Sequence, residues 1–401
     1  MKKITIIAAL SCIYTVPLHA AGLDRSGQSI LAFLQPNNYF EAGISVLDAS
    51  LSGTMNDNFN KGGLSSAANM HTGDIANSYY SPSAALKFQL TDHFSLGFLY
   101  DHPFGADAGY PIKEFQAYTE GTEKSESEVV SQNLSTIVGY QPNENWNFYA
   151  GPALQTVKGK SRLRGAGYSW SRYDLDAPET TGVGWLAGAA YMVPDIALKA
   201  SITYRSEINH DMDMTESLNI LHPVYGRIDL GTSTEKSNIS TPQSINVDLQ
   251  TGIMKDTVAF ANIRWVDWSE FKISPKMLYQ FTEQSTGAGV HLAAYYDDQI
   301  SANIGIGRKL NEKLSGTFSV GWDSGAGDLV STLGPSKGYW NVGLGAQFSP
   351  AKNYFISGGV KYFWLGDAKA QSGFDFGTEK YDAVYQDNHA VGYGLKIGYR
   401  F

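Results

Sequence analysis

The chain is poor in cysteine, in charge and in long apolar runs. Its 401 residues hold one cysteine, Cys12. A secreted protein with no cysteine pair has no disulfide framework and draws stability from elsewhere. Charged residues are 17% of the chain, below the usual quarter or so. Cations are outnumbered 30 to 39, for a net charge of −9. That excludes the basic patch that a nucleic-acid partner needs. A mean hydropathy of −0.23 excludes a helical multi-pass membrane protein, which needs several runs of about 20 apolar residues. Chemical motifs are missing as well. His71, His93, His102, His210, His222, His291 and His389 are scattered without metal-ligand spacing. There is no G-x-S-x-G and no phosphate-cradling loop. No enzyme activity, cofactor or metal is expected.

Glycine (42 residues) and aromatics (13%) are plentiful. Residues 1–20, MKKITIIAALSCIYTVPLHA, have a basic start, a short apolar middle and small residues at the end. That pattern is a secretory signal peptide. Cleavage is expected after Ala20, with Ala21 the runner-up.

Beyond the leader, almost every segment alternates with a period of two. Val391, Tyr393, Leu395, Ile397, Tyr399 and Phe401 interleave with Gly392, Gly394, Lys396, Gly398 and Arg400. Ile196, Leu198, Ala200, Ile202 and Tyr204 interleave with Ala197, Lys199, Ser201, Thr203 and Arg205. Successive strand side chains point to opposite faces, so each segment has one oily face and one polar face. Fourteen such segments are expected: 38–52, 79–91, 93–104, 128–141, 145–158, 181–193, 195–208, 241–254, 256–268, 295–309, 313–324, 338–349, 353–366 and 389–401. Residues 182–193 are too short for a spanning helix and are read as a strand with Val183, Trp185, Ala187, Ala189 and Tyr191 on one face.

Six short turns alternate with seven long loops, at 53–78, 105–127, 159–180, 209–240, 269–294, 325–337 and 367–388. This predicts an all-β fold: a 14-stranded antiparallel transmembrane β-barrel with a short N-terminal plug. The organisation is a signal peptide (1–20), a hatch (21–37) and the barrel (38–401). Trp146, Trp265, Trp268, Trp322, Trp340 and Trp364 near strand ends suggest interfacial girdles. The localisation expected is the outer membrane of a Gram-negative bacterium, with the chain embedded in its lipid as a monomer. A terminal Phe401 suits recognition by the barrel assembly machinery.

Four features bear on function. Ile30, Leu31, Phe33 and Leu34 give the pre-strand segment an apolar content suited to packing in the lumen. Lys87, Lys199, Arg205, Arg264, Lys361, Lys396 and Arg400 face inward, opposite Asp101, Asp248 and Asp323. They can pair with those acids or receive an anionic head group; both readings stay open. Pro103 cannot donate to a ladder, so strand three either ends at Asp101 or breaks there and leaves a sideways opening. The segment 209–240, with Met212, Met214, Leu218, Ile220, Leu221, Val224 and Tyr225, is unusually apolar for a surface loop and can form a capture groove.

Several stretches carry a resemblance: AGLDRSGQSI (21–30), YDHPFG with GYP (100–111), TYRSEI (203–208), TPQSINVDLQTGI and FANIRWVDWSEF (241–271), and YYDDQISANIGIGRKLNEKLSGTFSVGWDSG (295–325). In this order the chain resembles the FadL-type long-chain fatty-acid transporters of outer membranes. The resemblance implies an N-terminal hatch, a kinked third strand opening a lateral window, and capture between the loops at 159–180 and 209–240. It departs in one place: an Asn-Pro-Ala motif of the longer family hatch is missing here.

The expected function is passive uptake of hydrophobic small molecules, foremost long-chain fatty acids. Leu218, Leu221 and Tyr225 are expected at capture, and Leu99, Pro103, Phe104 and Gly105 at the lateral exit. Arg205 or Arg264 is expected to meet the carboxylate. Alternatives are a transporter of aromatic hydrocarbons and a structural or adhesive surface barrel.

Overall fold

The computed structural model describes residues 23–57, 59, 69–112 and 117–401. The expected signal peptide and its cleavage point lie outside the described residues. Fourteen strands form the wall: β1 (Tyr39–Ser50), β2 (Tyr79–Gln89), β3 (Phe94–Asp101), β4 (Glu126–Tyr140), β5 (Trp146–Leu163), β6 (Arg172–Val193), β7 (Leu198–Arg205), β8 (Ser244–Met254), β9 (Thr257–Val266), β10 (Gln299–Lys309), β11 (Leu314–Asp323), β12 (Tyr339–Ala351), β13 (Tyr354–Leu365) and β14 (His389–Arg400). Each pairs antiparallel with its neighbours. β14 returns to β1, with Ile44 opposite Leu395. The ring closes on itself, so no strand is left as a free sheet edge for lipid to face.

The alternation decides which way each strand faces. Trp340, Leu344 and Phe348 point out, as do Tyr393, Leu395 and Ile397; Ser201, Thr203, Asn246, Asp248 and Ser319 point in and are buried. Val183, Trp185 and Tyr191 are outward and exposed, while Leu186 and Ala190 are buried inward, so residues 182–193 are a strand as expected.

Three readings of the long connections need correction. The segments 159–180 and 209–240 are mostly not loops. β5 and β6 run on to Leu163 and from Arg172, leaving a short turn with a one-turn 3-10 helix at Ala166–Tyr168. Residues Ile208–His222 and Gly226–Thr241 form a hairpin whose register continues that of β7 and β8. Alternation persists there because one face still has a core to meet. Within 269–294 lies a helix, α1 (Lys276–Thr286). The buried Glu216 carboxylate accepts the backbone N–H groups of Met277 and Leu278, each at 2.9 Å, and so caps α1 against its dipole. Trp268 is not part of a girdle. β9 stops at Val266, and the Trp268 ring turns inward and is 0% exposed.

The long-loop end, which in outer-membrane barrels faces outward, is roofed. Residues 53–55, 383–385, 368–371 and 329–331 make a small four-stranded sheet. Beneath it Tyr110 stacks on Tyr118 at 4.3 Å and Tyr118 donates to Asp382 at 3.0 Å. Burial pushes the neighbouring Tyr385 hydroxyl up to about 12.

Candidate functional site

Under this roof is a cavity of about 150 Å³. Its walls come from the upper parts of the strands, chiefly Val157, Leu175, Met212, Met214 and Ile239. An aromatic group closes the bottom. Phe104 meets Trp268 edge-on at 5.4 Å, and Trp268 meets Phe271 at 5.2 Å and Tyr295 at 5.1 Å. Arg25 also lines the cavity, its guanidinium 3.5 Å above the Tyr79 ring. Such a site favours an apolar solute, because most of the surface it offers is hydrocarbon.

The wall breaks beside Phe104. The β2–β3 ladder ends at Ala84↔Tyr100. β3 then stops at Asp101; its continuation Gly105–Gly109 pairs with β4, and on the β2 side contact resumes only above the break, at the Ala76↔Ala108 bridge. Three residues, 102–104, stand against two on β4, which makes a bulge. Pro103 lies within it, where a missing N–H costs no ladder bond. The Ser131 side chain mends the β4 side, its hydroxyl accepting the Phe104 N–H at 2.8 Å. On the β2 side the break is covered by the N-terminal segment. Arg25 N–H donates to the Pro103 carbonyl at 2.7 Å and Gly105 N–H to the Leu23 carbonyl at 2.8 Å. Ser26 donates from its hydroxyl to Asp101.

That segment crosses the lumen on a frame of inward cations. Lys87 donates to the Gln35 carbonyl at 2.6 Å, Lys199 to that of Leu34 at 3.1 Å, and Arg205 to that of Gln28 at 2.7 Å. Arg264 pairs with Asp24 at 2.6 Å and also donates to Gln28 and Asn246. Phe33 fits against the wall where Gly97 leaves room; a Cβ at Gly97 would lie 2.4 Å from the Phe33 ring. Thus Lys87, Lys199 and Arg205 stand against backbone carbonyls of the segment, while Arg264 pairs with Asp24 and Lys396 with Glu41 at 2.8 Å. Below the break, a second space of about 100 Å³ runs between the segment and β1–β3, and Arg205 lines it.

The residues expected at the site are divided by the structure. Leu99, Pro103, Phe104 and Gly105 are all buried at the break. Leu218 is 1% exposed, packed in the core above the membrane, while Leu221 and Tyr225 sit at the hairpin tip, with Tyr225 77% exposed; the three do not form one groove. Arg264 is committed to Asp24, Gln28, Asn246 and Ser244, so it has little left to offer a carboxylate. Arg205 is 8% exposed, and its Nε and Nη1 have no hydrogen-bond partner among the described residues. Sequence reasoning missed Arg25 and the ring cluster around Trp268. The clue was the inversion of apolar phase above the membrane, which marks an interior wherever an outward face turns polar.

A family model described as outer membrane protein transport protein (OMPP1/FadL/TodX) matches residues 21–401. The chain superposes on a FadL homologue of Pseudomonas aeruginosa with a TM-score of 0.73 at 13% identity, covering 98% of each chain. The toluene transporter TodX of P. putida gives 0.65 at 14% identity over 92% of each chain. The monoaromatic hydrocarbon channel CymD gives 0.60 at 13% identity, over 92% of this chain and 90% of that one. No curated protein sequence matches. At these identities the solved structures speak for the fold, and the family model speaks for membership. A closed barrel, oily outside and holding an apolar cavity, agrees with both, and the chain therefore belongs to the OMPP1/FadL/TodX family of outer-membrane transport proteins.

Proposed function

We propose that this channel takes up long-chain fatty acids passively and releases them sideways into the bilayer. The observation that carries the reading is the stacking of the apolar cavity on Phe104, at the break between β2 and β3. The tail enters the cavity from the hairpin side, with Leu221 and Tyr225 as first contacts and Leu218 supporting the hairpin. Phe104 swings aside, and the solute leaves past Leu99, Pro103 and Gly105. Residues 21–37 act as the plug, and the Leu23–Ser26 stretch must come off the break for passage. The carboxylate is met by Arg205, which retains free donors, rather than by Arg264. Apolar burial at about 25 cal/mol per Å² supplies most of the affinity. One charged hydrogen bond adds about 1.5–3 kcal/mol. The barrel works as a monomer in outer-membrane lipid, assembled through its terminal Phe401.

A second reading, aromatic hydrocarbons, is favoured by the ring cluster of Phe104, Trp268, Phe271 and Tyr295. Uptake of labelled oleate and of labelled toluene by a strain lacking its own transporters separates the two. Saturable oleate uptake that Arg205→Ala weakens about tenfold or more, the equivalent of 1.4 kcal/mol, supports the first. Toluene uptake without oleate uptake, indifferent to Arg205, supports the second. Uptake of neither sinks both and leaves an adhesive or structural barrel.

A further inference from the structure

The wall has another discontinuity, three strands from the first. β6 pairs with β7 up to Leu186↔Arg205. It pairs with the hairpin again from Asp176↔Thr215 to Arg172↔Asn219. The register is the same on both sides, yet no ladder pair joins residues 177–185 to 206–214. On its other edge β6 stays paired with β5 from Thr180 to Tyr191. The cause is local. β6 carries a register irregularity between Ala177 and Thr180. Between Arg205 and Ile208, both of which are buried inward, the neighbouring strand also changes which parity faces the lumen. Two slips at one height deprive facing N–H and C=O groups of their partners.

The seam is held shut by contact more than by ladder bonds. Ser206 N–H donates to the Trp185 carbonyl at 3.0 Å, and Thr180 donates from its hydroxyl to the Asp211 carbonyl at 3.0 Å. Above Ser206, Ile208 fills the join. A Cβ on Gly182 would lie 2.6 Å from its Cγ2, and one on Gly184 2.5 Å from its Cγ1. Behind the join, a small space of about 10 Å³ is lined by Arg205 and Gln155 of the lumen and by Trp185 of the outer face. Trp185 is 51% exposed and packs on Tyr204 at 5.1 Å, the placement of an interfacial girdle. Phe104 lines the same space.

We infer that the β6–β7 seam is a second lateral exit, closed by Ile208 on Gly182 and Gly184, through which a fatty acid that has reached Arg205 passes to the outer leaflet beside Trp185. The inference rests on the lateral-release reading proposed above. Opening needs rotation of Ile208 and loss of the few hydrogen bonds between Ser206 and Trp185 and between Thr180 and Asp211, but no rupture of a continuous ladder. The outer opening lies at headgroup height, so a carboxylate leaving Arg205 stays near water while the tail enters lipid.

Engineered cysteine pairs test this in the full chain, since Cys12 is its only cysteine and lies in the expected leader. Gly184→Cys with Ile208→Cys, a pair on the same face since a Cβ on residue 184 would lie 2.5 Å from the Ile208 Cγ1, closes the seam when oxidised. Ser26→Cys with Asp101→Cys pins the N-terminal segment over the β2–β3 break. Purified barrels, checked for folding by heat-modifiable migration, are placed in vesicles and assayed with pyrene-labelled dodecanoic acid. With the break pinned, transfer should persist in part; oxidising the seam pair as well should abolish it, and reduction should restore it. Gly182→Val should wedge the join and raise transfer in the break-pinned background. A diazirine fatty acid should label Ile208 or Trp185 in the unmodified chain, a readout that needs no variant to fold. If pinning the break alone removes all transfer and no label reaches the seam, the second exit is overturned while the first stands. If the unmodified barrel moves no probe, it is the lateral-release reading that fails.

Discussion

The lower and upper parts of the strands obey opposite rules. In the membrane belt, β6 points Val183 and Trp185 outward, and β7 points Ile202 outward over inward Thr203 and Arg205. In the crown above, the same chain directions carry Tyr173 and Leu175, then Met212 and Met214, on the inside. Asp174, Asp176, Asp211 and Asp213 take the outside. In β6, Tyr173, Leu175 and Ala177 and then Val183, Trp185 and Tyr191 all carry odd numbers. One irregularity between Ala177 and Thr180 swings them from the lumen face to the lipid face, because a one-residue slip turns every later side chain over. The lesson is about solvent. Where lipid surrounds the wall, hydrocarbon belongs outside; where water surrounds it, hydrocarbon has only the interior, and a binding cavity results.

The comparison can be broken from either side. The largest effect is expected in the crown interior. Trp268→Ala removes the ring on which Phe104, Phe271 and Tyr295 converge and should cost about 3–5 kcal/mol, read by chemical unfolding in lipid vesicles, together with loss of probe binding. Next comes the belt exterior. Leu344→Arg, at an outward position midway along β12, should cost about 2–4 kcal/mol. Thr232→Arg, outward in the crown, should change stability by less than about 0.5 kcal/mol. Similar costs at the two sites would refute the division into belt and crown.

A smaller effect is expected at the α1 cap. Glu216→Ala removes the acceptor of two helix N–H groups and of the Tyr173 hydroxyl. It should loosen the helix by about 1–2 kcal/mol, seen as faster proteolysis within residues 276–286. The smallest effect is acid loosening of the crown's outer face. The hydrogen bond from Arg164 holds the Glu123 carboxyl below its usual 4.5. A lowered folded value means that this contact stabilises above pH 4.5 and is lost as pH falls through the folded value. Amide protection in residues 119–124, corrected for the intrinsic pH dependence of exchange, should therefore fall on acidification below that point and stay level between neutral pH and pH 5.

Much of the barrel was legible because lipid imposes a simple code. Period two, turn residues such as Pro194 and Asn311, and the alternation of short and long connections were enough to place most strands within a few residues, though β6 begins at Arg172 rather than 181. β7 begins only at Leu198 because Pro194–Ile196 takes a 3-10 turn and Ala197 a left-handed conformation. The crown was harder. Met212, Met214 and Leu218 look like a greasy loop when the segment is taken to lie in water, and the same pattern is a strand once an interior exists beside it. Pro103 marked the break, but not that Leu23–Arg25 would cover it without an Asn-Pro-Ala motif, since that contact joins residues some 80 apart.

Local alternation, set by the alternating geometry of a strand and the need to satisfy every backbone group in lipid, determined by itself that this chain closes into an outer-membrane cylinder. Which inward charges are spent on the N-terminal segment, and which remain free, was decided only by tertiary structure. Arg205 and Arg264 look alike as sequence. Asp24 neutralises one of them from 240 residues away, a pairing that no periodicity encodes, because it depends on where the chain's start comes to rest inside the finished barrel.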